Sequence, residues 1–122
     1  VERIAASPVP RRVVVAGGGA GGVELAFALR NLAAAETRPE IALVTGGGGL
    51  LPGFSQGVRS RAAAALMRQG IALHLADAQI AHGAIRASET SLEPTELIVA
   101  ALGSAAPDWV RASGLAVDDA GF

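Results

Sequence analysis

Residues 12–26 read RVVVAGGGAGGVELA, and this stretch decides the fold. Three valines between Arg12 and Ala16 make the β-branched, uninterrupted apolar run of a strand buried on both faces. Glycines follow at once, and a helical pattern begins behind them. Gly17, Gly19 and Gly22 stand at G-x-G-x-x-G spacing, which between a strand and a helix is the fingerprint of dinucleotide binding. Each glycine has its own task. Gly17 permits the tight turn out of the strand, Gly19 lets backbone approach a pyrophosphate, and Gly22 lets the helix lie close on the sheet. Ala20 stands in the same turn, where the helix opens with free N–H groups and the positive end of its dipole, both favourable to a phosphate. A plain βα turn would use the same residues; the strand before and the amphipathic helix behind favour the binding reading.

Working outward, Val23, Ala26, Leu29, Leu32 and Ala33 recur at helical spacing and predict a helix over 22–35. Pro39 closes it by disfavouring helical geometry at Arg38. Residues 40–44, EIALV, are a second buried strand, so strand, helix and strand form one βαβ unit with a parallel sheet. A flexible glycine-rich loop is expected at 45–52. A second helix follows over 55–69, with Val58, Ala62, Ala65 and Leu66 on one face and Arg59, Arg61 and Arg68 as a solvated face. Of these, Arg59 is close enough in sequence to the loop to be the phosphate reader if NADPH is the ligand. Gly70 stops this helix and a third strand occupies 71–75. Residues 77–92 alternate and are rich in turns, which suits a small antiparallel ribbon. A fourth buried strand falls at 97–102 (LIVAAL), a short helix at 107–113, and a turn with the start of a strand at 114–122. Upstream, Pro8 and Pro10 mark 1–11 as a linker. The expected fold is α/β and Rossmann-like: a four-stranded parallel sheet with helices on its faces and an antiparallel β ribbon inserted before the last parallel strand, all in one domain over 12–122.

Composition limits the chemistry. Hydrophobic residues are 51% of the 122, which excludes disorder, and only four are Phe or Trp, so the core is built from Ala, Val, Leu and Ile. A net charge of −1 without a basic stripe argues against nucleic acid. No run reaches the length of a membrane span and none has the pattern of a secretory signal, so a cytoplasmic location is expected, compatible with a parent protein peripheral at a membrane. The absence of cysteine excludes disulfides, thiolate catalysis and cysteine metal sites. All ten basic residues are Arg; without Lys there is neither a Walker-type phosphate lysine nor a Schiff base. His74 and His82 lack partners at metal-ligand spacing, and Trp109 reads as a packing or interface residue. The chain starts at Val1, and its one Met is Met67, which reads as a piece of a longer protein.

One expected residue is missing. A NAD-binding unit carries an acid about 20 residues past the glycines, at the end of the second strand, to accept hydrogen bonds from the adenosine ribose. Thr45 holds that position here. Glu40 lies at the other end of the strand, roughly 15 Å away. No Arg stands within 45–49 to meet a 2′-phosphate. Thr45 offers a hydroxyl, and Gly46 with its neighbours offers backbone N–H groups. This leaves NADPH possible and favours NADH.

With these residues placed, the chain resembles the NAD(P)H-binding domain of the pyridine nucleotide–disulfide oxidoreductase superfamily, the two-dinucleotide flavoproteins. The resemblance is carried by VVVAGGGAGGVELA at 13–26, LVTGGGGLLPGF at 43–54, LMRQGIALH at 66–74, ELIVAALGSAAPDW at 96–109 and SGLAVDDAGF at 113–122. Within the superfamily it is similar to the type II NADH dehydrogenase branch and, through LLPGF and PDWVRASGL, to the NADH dehydrogenase-like flavoprotein fused to selenide, water dikinase. The branch that carries its redox cysteine pair in this domain is excluded by composition. The resemblance implies that this domain is inserted between two halves of an FAD-binding domain of the same parent chain. It implies too that the bound nicotinamide delivers hydride to FAD. Residue by residue, it places Gly17, Gly19 and Gly22 at the pyrophosphate. It puts Glu24 near the nicotinamide and flavin, a position that a helix-dipole acid of the first turn would also explain. The family's A-T-G motif falls on Ala101, Leu102 and Gly103, with Leu102 in place of Thr, which removes a hydroxyl contact; an ordinary turn at the strand end explains Gly103 equally well.

The function this implies is binding of NAD(P)H, NADH above all, and its presentation to FAD in an oxidoreductase. By itself the chain offers no catalytic residue, so the hydride chemistry belongs to the cofactors. A non-catalytic NAD(H)-sensing module is the alternative, favoured by Thr45 and Leu102. An S-adenosylmethionine methyltransferase would use a related turn but expects further motifs that are lacking.

Overall fold

The computed structural model describes residues 12–122 except 33, 35 and 37. The linker expected at 1–11 lies outside the described residues. Four strands, β1 (Arg12–Ala16), β2 (Glu40–Val44), β3 (Ala72–His74) and β7 (Leu97–Ala100), form a parallel sheet in the order β3-β2-β1-β7. Between β3 and β7 the chain builds an antiparallel sheet from β4 (Ala78–Ala81), β5 (Ala84–Ala87) and β6 (Thr90–Ser91). This is the Rossmann-like arrangement that the sequence predicts, with the ribbon where it was expected.

The alternation of strand side chains sorts the core into two layers. Val13, Val15, Ile41 and Leu43 pack with Val23, Ala26 and Leu29 of α1 (Ala20–Asn31) and with Leu66 of α2 (Gln56–Arg68). Val14, Ala42 and Val44, on the other face, pack with Ile85, Ala87 and Leu92 of the ribbon segment. The helices therefore share one face of the sheet, as right-handed crossovers in one direction require, and the ribbon closes the other. Val13, Val14 and Val15 are all fully buried, which explains the uninterrupted valine run.

Local chemistry sets the element ends. The Ser55 hydroxyl accepts from the Val58 N–H and caps α2. Its other end is a Schellman turn: Gly70 at φ +69° donates to the Met67 carbonyl and Ile71 donates to Leu66. The hairpin β4–β5 turns on His82 and Gly83, both at positive φ, the two-residue form that suits strand twist. Four points differ from the sequence reading by two residues or more. Strand β7 ends at Ala100, not at 102, and as the edge of the sheet it is half-buried and not buried. Helix α1 starts two residues earlier, at Ala20, so Glu24 lies in its second turn, not its first. It ends at Asn31, well before Pro39, where the Asn31 amide donates to the Phe27 carbonyl and to Gln69 Oε1, while Arg30 Nε donates to the Gln69 carbonyl. These bonds tie the end of α1 to the end of α2. Finally, 114–122 holds turns with no strand, in which Asp118 N–H and Phe122 O are paired. The short helix α3 (Asp108–Ala112) forms as expected, with Pro107 at its N-cap.

Candidate functional site

The strand order reverses at β1, since β2 lies on one side of it and β7 on the other. Open α/β sheets have their ligand crevice outside the carboxyl ends of the strands at such a point. Here that place holds a cleft of about 580 Å³ lined by Gly17 to Gly21, Thr45, Gly48, Gly49, Pro52, and Ala101 to Gly103.

The three fingerprint glycines are required for three different reasons. Gly17, at φ +131°, faces the end of β7 so closely that a Cβ would stand 2.1 Å from the Ala101 oxygen. A Cβ on Gly22 would stand 1.9 Å from the Gly17 oxygen, so helix and turn touch backbone to backbone. Gly19 is the opposite case, with nothing within 4 Å of its Cβ position. It is the N-cap of α1, in extended backbone, and no side chain caps the helix there. The first intrahelical bond runs from Val23 N–H to Gly19 O at 3.1 Å, which leaves the N–H groups of Ala20, Gly21 and Gly22 ahead of it. Uncapped donors and open space together form a cradle that accepts an anion.

Gly18 was not singled out in the sequence, yet it braces the cleft. Its carbonyl accepts from Leu51 N–H at 2.7 Å, and its Cβ position meets the Gly49 oxygen at 2.6 Å and Thr45 Cβ at 2.8 Å. The loop after β2 is thus pinned, in contrast to the flexible loop expected. Gly46 N–H donates to the Ala76 carbonyl, Gly49 N–H donates to Gly46, and Leu50 and Leu51 are buried in the core. Gly46 and Gly49 supply the positive φ values this path needs.

Arg59 also departs from the reading of a solvated helix face. It is half-buried, its Nε donates to the Leu50 carbonyl at 2.9 Å, and its Nη2 stands 3.1 Å from the Cβ position of Gly49. A cation therefore does stand beside the loop, brought there by α2 instead of by residues 45–49. Thr45 is buried, and its hydroxyl lies against the His74 and Gly46 carbonyls at 3.3 and 3.4 Å, turned onto backbone. At the mouth, Ala101 N–H donates to Ala16 O, Leu102 is exposed, and Gly103 takes φ +84° with open space around it. Glu24 is exposed on α1 and outside the residues that line the cleft. Among the described residues no cluster of His, Asp or Glu is arranged to hold a metal. Glu40 pairs with Arg12 at 3.0 Å, at the far end of β2.

A parallel α/β sheet whose crevice is walled by glycine backbone, at the opening of an uncapped helix, defines the Rossmann-like class of domain. More particularly, the chain belongs to the pyridine nucleotide-disulphide oxidoreductase family, which it matches over residues 1–122. It is 38% identical to dihydrolipoyl dehydrogenase from Pseudomonas aeruginosa over 74 residues, 61% of this chain and 15% of that protein. In fold it is similar to reduced CoADR-RHD from Bacillus anthracis, at TM-score 0.68 and 22% identity, over 92% of this chain and 20% of that one. It is similar also to NDH2 from Plasmodium falciparum in complex with NADH, at TM-score 0.59 and 21% identity, over 82% and 24%. The chain thus spans a quarter of the length of these relatives or less.

Proposed function

We propose that this chain binds NAD(P)H, with NADH as its ligand, across the glycine cleft and presents it for hydride transfer to FAD held by an FAD-binding domain of the same parent protein. The carrying observation is the contrast among the glycines: Gly17 and Gly22 are closed against backbone, while Gly19 faces open space at uncapped helix donors. Close packing alone accounts for the first two. An open Gly19 answers to a group that approaches from outside.

The residues suit a pyrophosphate. The N–H groups of Ala20 and its neighbours point a positive dipole end into the cleft, and no acidic side chain lies among the residues that line it. Ala101 and Gly103, at the end of β7, flank the path away from the pyrophosphate toward the nicotinamide half, and Gly103 lets backbone come near it. Thr45 and Gly46 flank the opposite, adenosine half. Glu24 is assigned to the contact with the nicotinamide carboxamide or the flavin domain by family resemblance, and its exposed place on α1 is compatible with meeting a second domain. The cofactor, when bound, supplies the hydride; this chain positions it. NADH in the NDH2 complex supports the choice of ligand class.

Titration calorimetry with NADH tests the reading. Wild type binds, and Gly19→Val loses at least about ten-fold in affinity, because valine accepts the extended backbone of Gly19 but fills the ligand's path. Equal affinity in the two proteins would exclude the cleft as the site.

A further inference from the structure

A second cavity, of about 440 Å³, opens beyond the carboxyl ends of β2 and β3. Gly46, Leu50, Arg59, Ala63, Leu73 and Asp77 are among its walls, and Gly49 lines both this cavity and the glycine cleft. Gly49 is thus the wall the two have in common, and an extended ligand seated at Gly19 reaches this second cavity by crossing it.

Asp77 is the acid at this place. It comes from the connection between β3 and β4, not from β2. Its Oδ1 stands 3.4 Å from the Cβ position of Gly46 and 3.8 Å from that of Gly47, so a side chain on either would cover the carboxylate. The backbone on both sides is held: Gly46 N–H donates to the Ala76 carbonyl at 2.9 Å and Ser88 N–H donates to the Asp77 carbonyl at 3.0 Å. Among the described residues the carboxylate itself makes no hydrogen bond or ion pair, and it is exposed. An accessible acceptor on held backbone thus adjoins the residue that follows Thr45, the position where an acid is expected and absent.

Resting on the dinucleotide reading above, we propose that Asp77 reads the adenosine ribose in place of the missing β2 acid and selects NADH over NADPH. An ionised carboxylate accepts only, so its two oxygens suit the 2′- and 3′-hydroxyls as donors. A 2′-phosphate would bring two negative charges against a third, with no proton to share. Arg59 is the rival reader, because a guanidinium favours phosphate. Its Nε is engaged by the Leu50 carbonyl and its Nη2 abuts Gly49, so its work is to hold the loop and wall the adenine side of the cavity.

The test is titration of the gene's full-length product with NADH and, separately, NADPH, for wild type, Asp77→Asn and Arg59→Gln, with melting temperature as the folding control. Wild type prefers NADH; Asp77→Asn weakens NADH about ten-fold, as loss of a charged acceptor does, and leaves NADPH no weaker. Two results overturn the inference and leave the dinucleotide site standing: an unchanged NADH-to-NADPH ratio in Asp77→Asn, whether or not both ligands weaken, or a wild-type preference for NADPH that Arg59→Gln removes. Wild type that binds neither dinucleotide overturns both the site and its reader.

Discussion

At the residue scale, adjacent glycines in one motif respond to substitution in opposite ways. Gly21 and Gly22 both lie in the first turn of α1, but a Cβ on Gly21 meets nothing within 4 Å and one on Gly22 meets the Gly17 oxygen at 1.9 Å. Alanine at 21 gains helix propensity without collision and is expected to stabilise by about 0.5 kcal/mol. Alanine at 22 must push strand turn and helix apart, and is expected to cost about 3 kcal/mol, in the range of severe single changes. Urea unfolding of the two variants measures both. The fingerprint spacing already separates the two, since Gly22 is its third glycine and Gly21 a variable position; the carbonyl that each Cβ would face gives the reason.

At the element scale, the segment that follows β6 is held to the ribbon by one carboxylate. Glu93 Oε1 accepts from Ile85 N–H at 3.0 Å and Oε2 accepts from Thr95 N–H at 2.8 Å, while Leu92 N–H donates back to the Ile85 carbonyl. Glu93 thus does for β5 what a further residue of strand would do. Removal of the side chain in Glu93→Ala leaves the Ile85 amide, in a fully buried residue, without its acceptor, at a cost of about 2 kcal/mol. Hydrogen exchange at Ile85 should speed up by roughly the corresponding factor, while β1 amides stay protected. The strands and both long helices were legible in the sequence because their signals are local: the valine run, EIALV, the apolar stripe of α1, and Gly70 after α2. The site was legible only where it follows the same logic. Gly17, Gly19 and Gly22 are spaced by the geometry of one turn, so the pattern shows them. Arg59 stands close enough in sequence to the loop to be noticed, but Gly18 and Asp77 come into play through contacts between segments far apart in the chain, as when Gly18 meets Leu51 and Gly46 meets Asp77. No period or spacing encodes such contacts. The bonds that hold the loop at 45–52 are hidden for the same reason, since four glycines look identical whether or not a distant carbonyl receives the N–H of one of them, as Ala76 does for Gly46.

At the scale of the whole molecule, the two sheet edges are finished differently. Near β3 the ribbon and α2 bury Leu66 and Ile85, although Leu75, Ile80 and Met67 stay exposed there as single side chains on different segments. Past β7 the apolar residues are left uncovered: Leu102 is 73% exposed, Trp109 66%, and Leu115 and Phe122 are exposed as well. Helix α3 buries none of its residues. A segment this apolar and this open has the character of a surface that another body covers. On the function proposed above, the FAD-binding domain of the parent would supply one, since a nicotinamide presented to a flavin would bring the two domains together at the β7 side of the cleft. Trp109 is the chain's one tryptophan, so its fluorescence reports on this end alone. In the 122-residue chain it should emit as a solvated indole, readily quenched by iodide. Joined to the FAD-binding domain it should shift to the blue and lose most of that quenching, its share being the difference between the joined protein and the same protein carrying Trp109→Phe. Emission and quenching that stay the same in both forms would place the contact elsewhere on the molecule, and would leave the exposed face at α3 to a different partner.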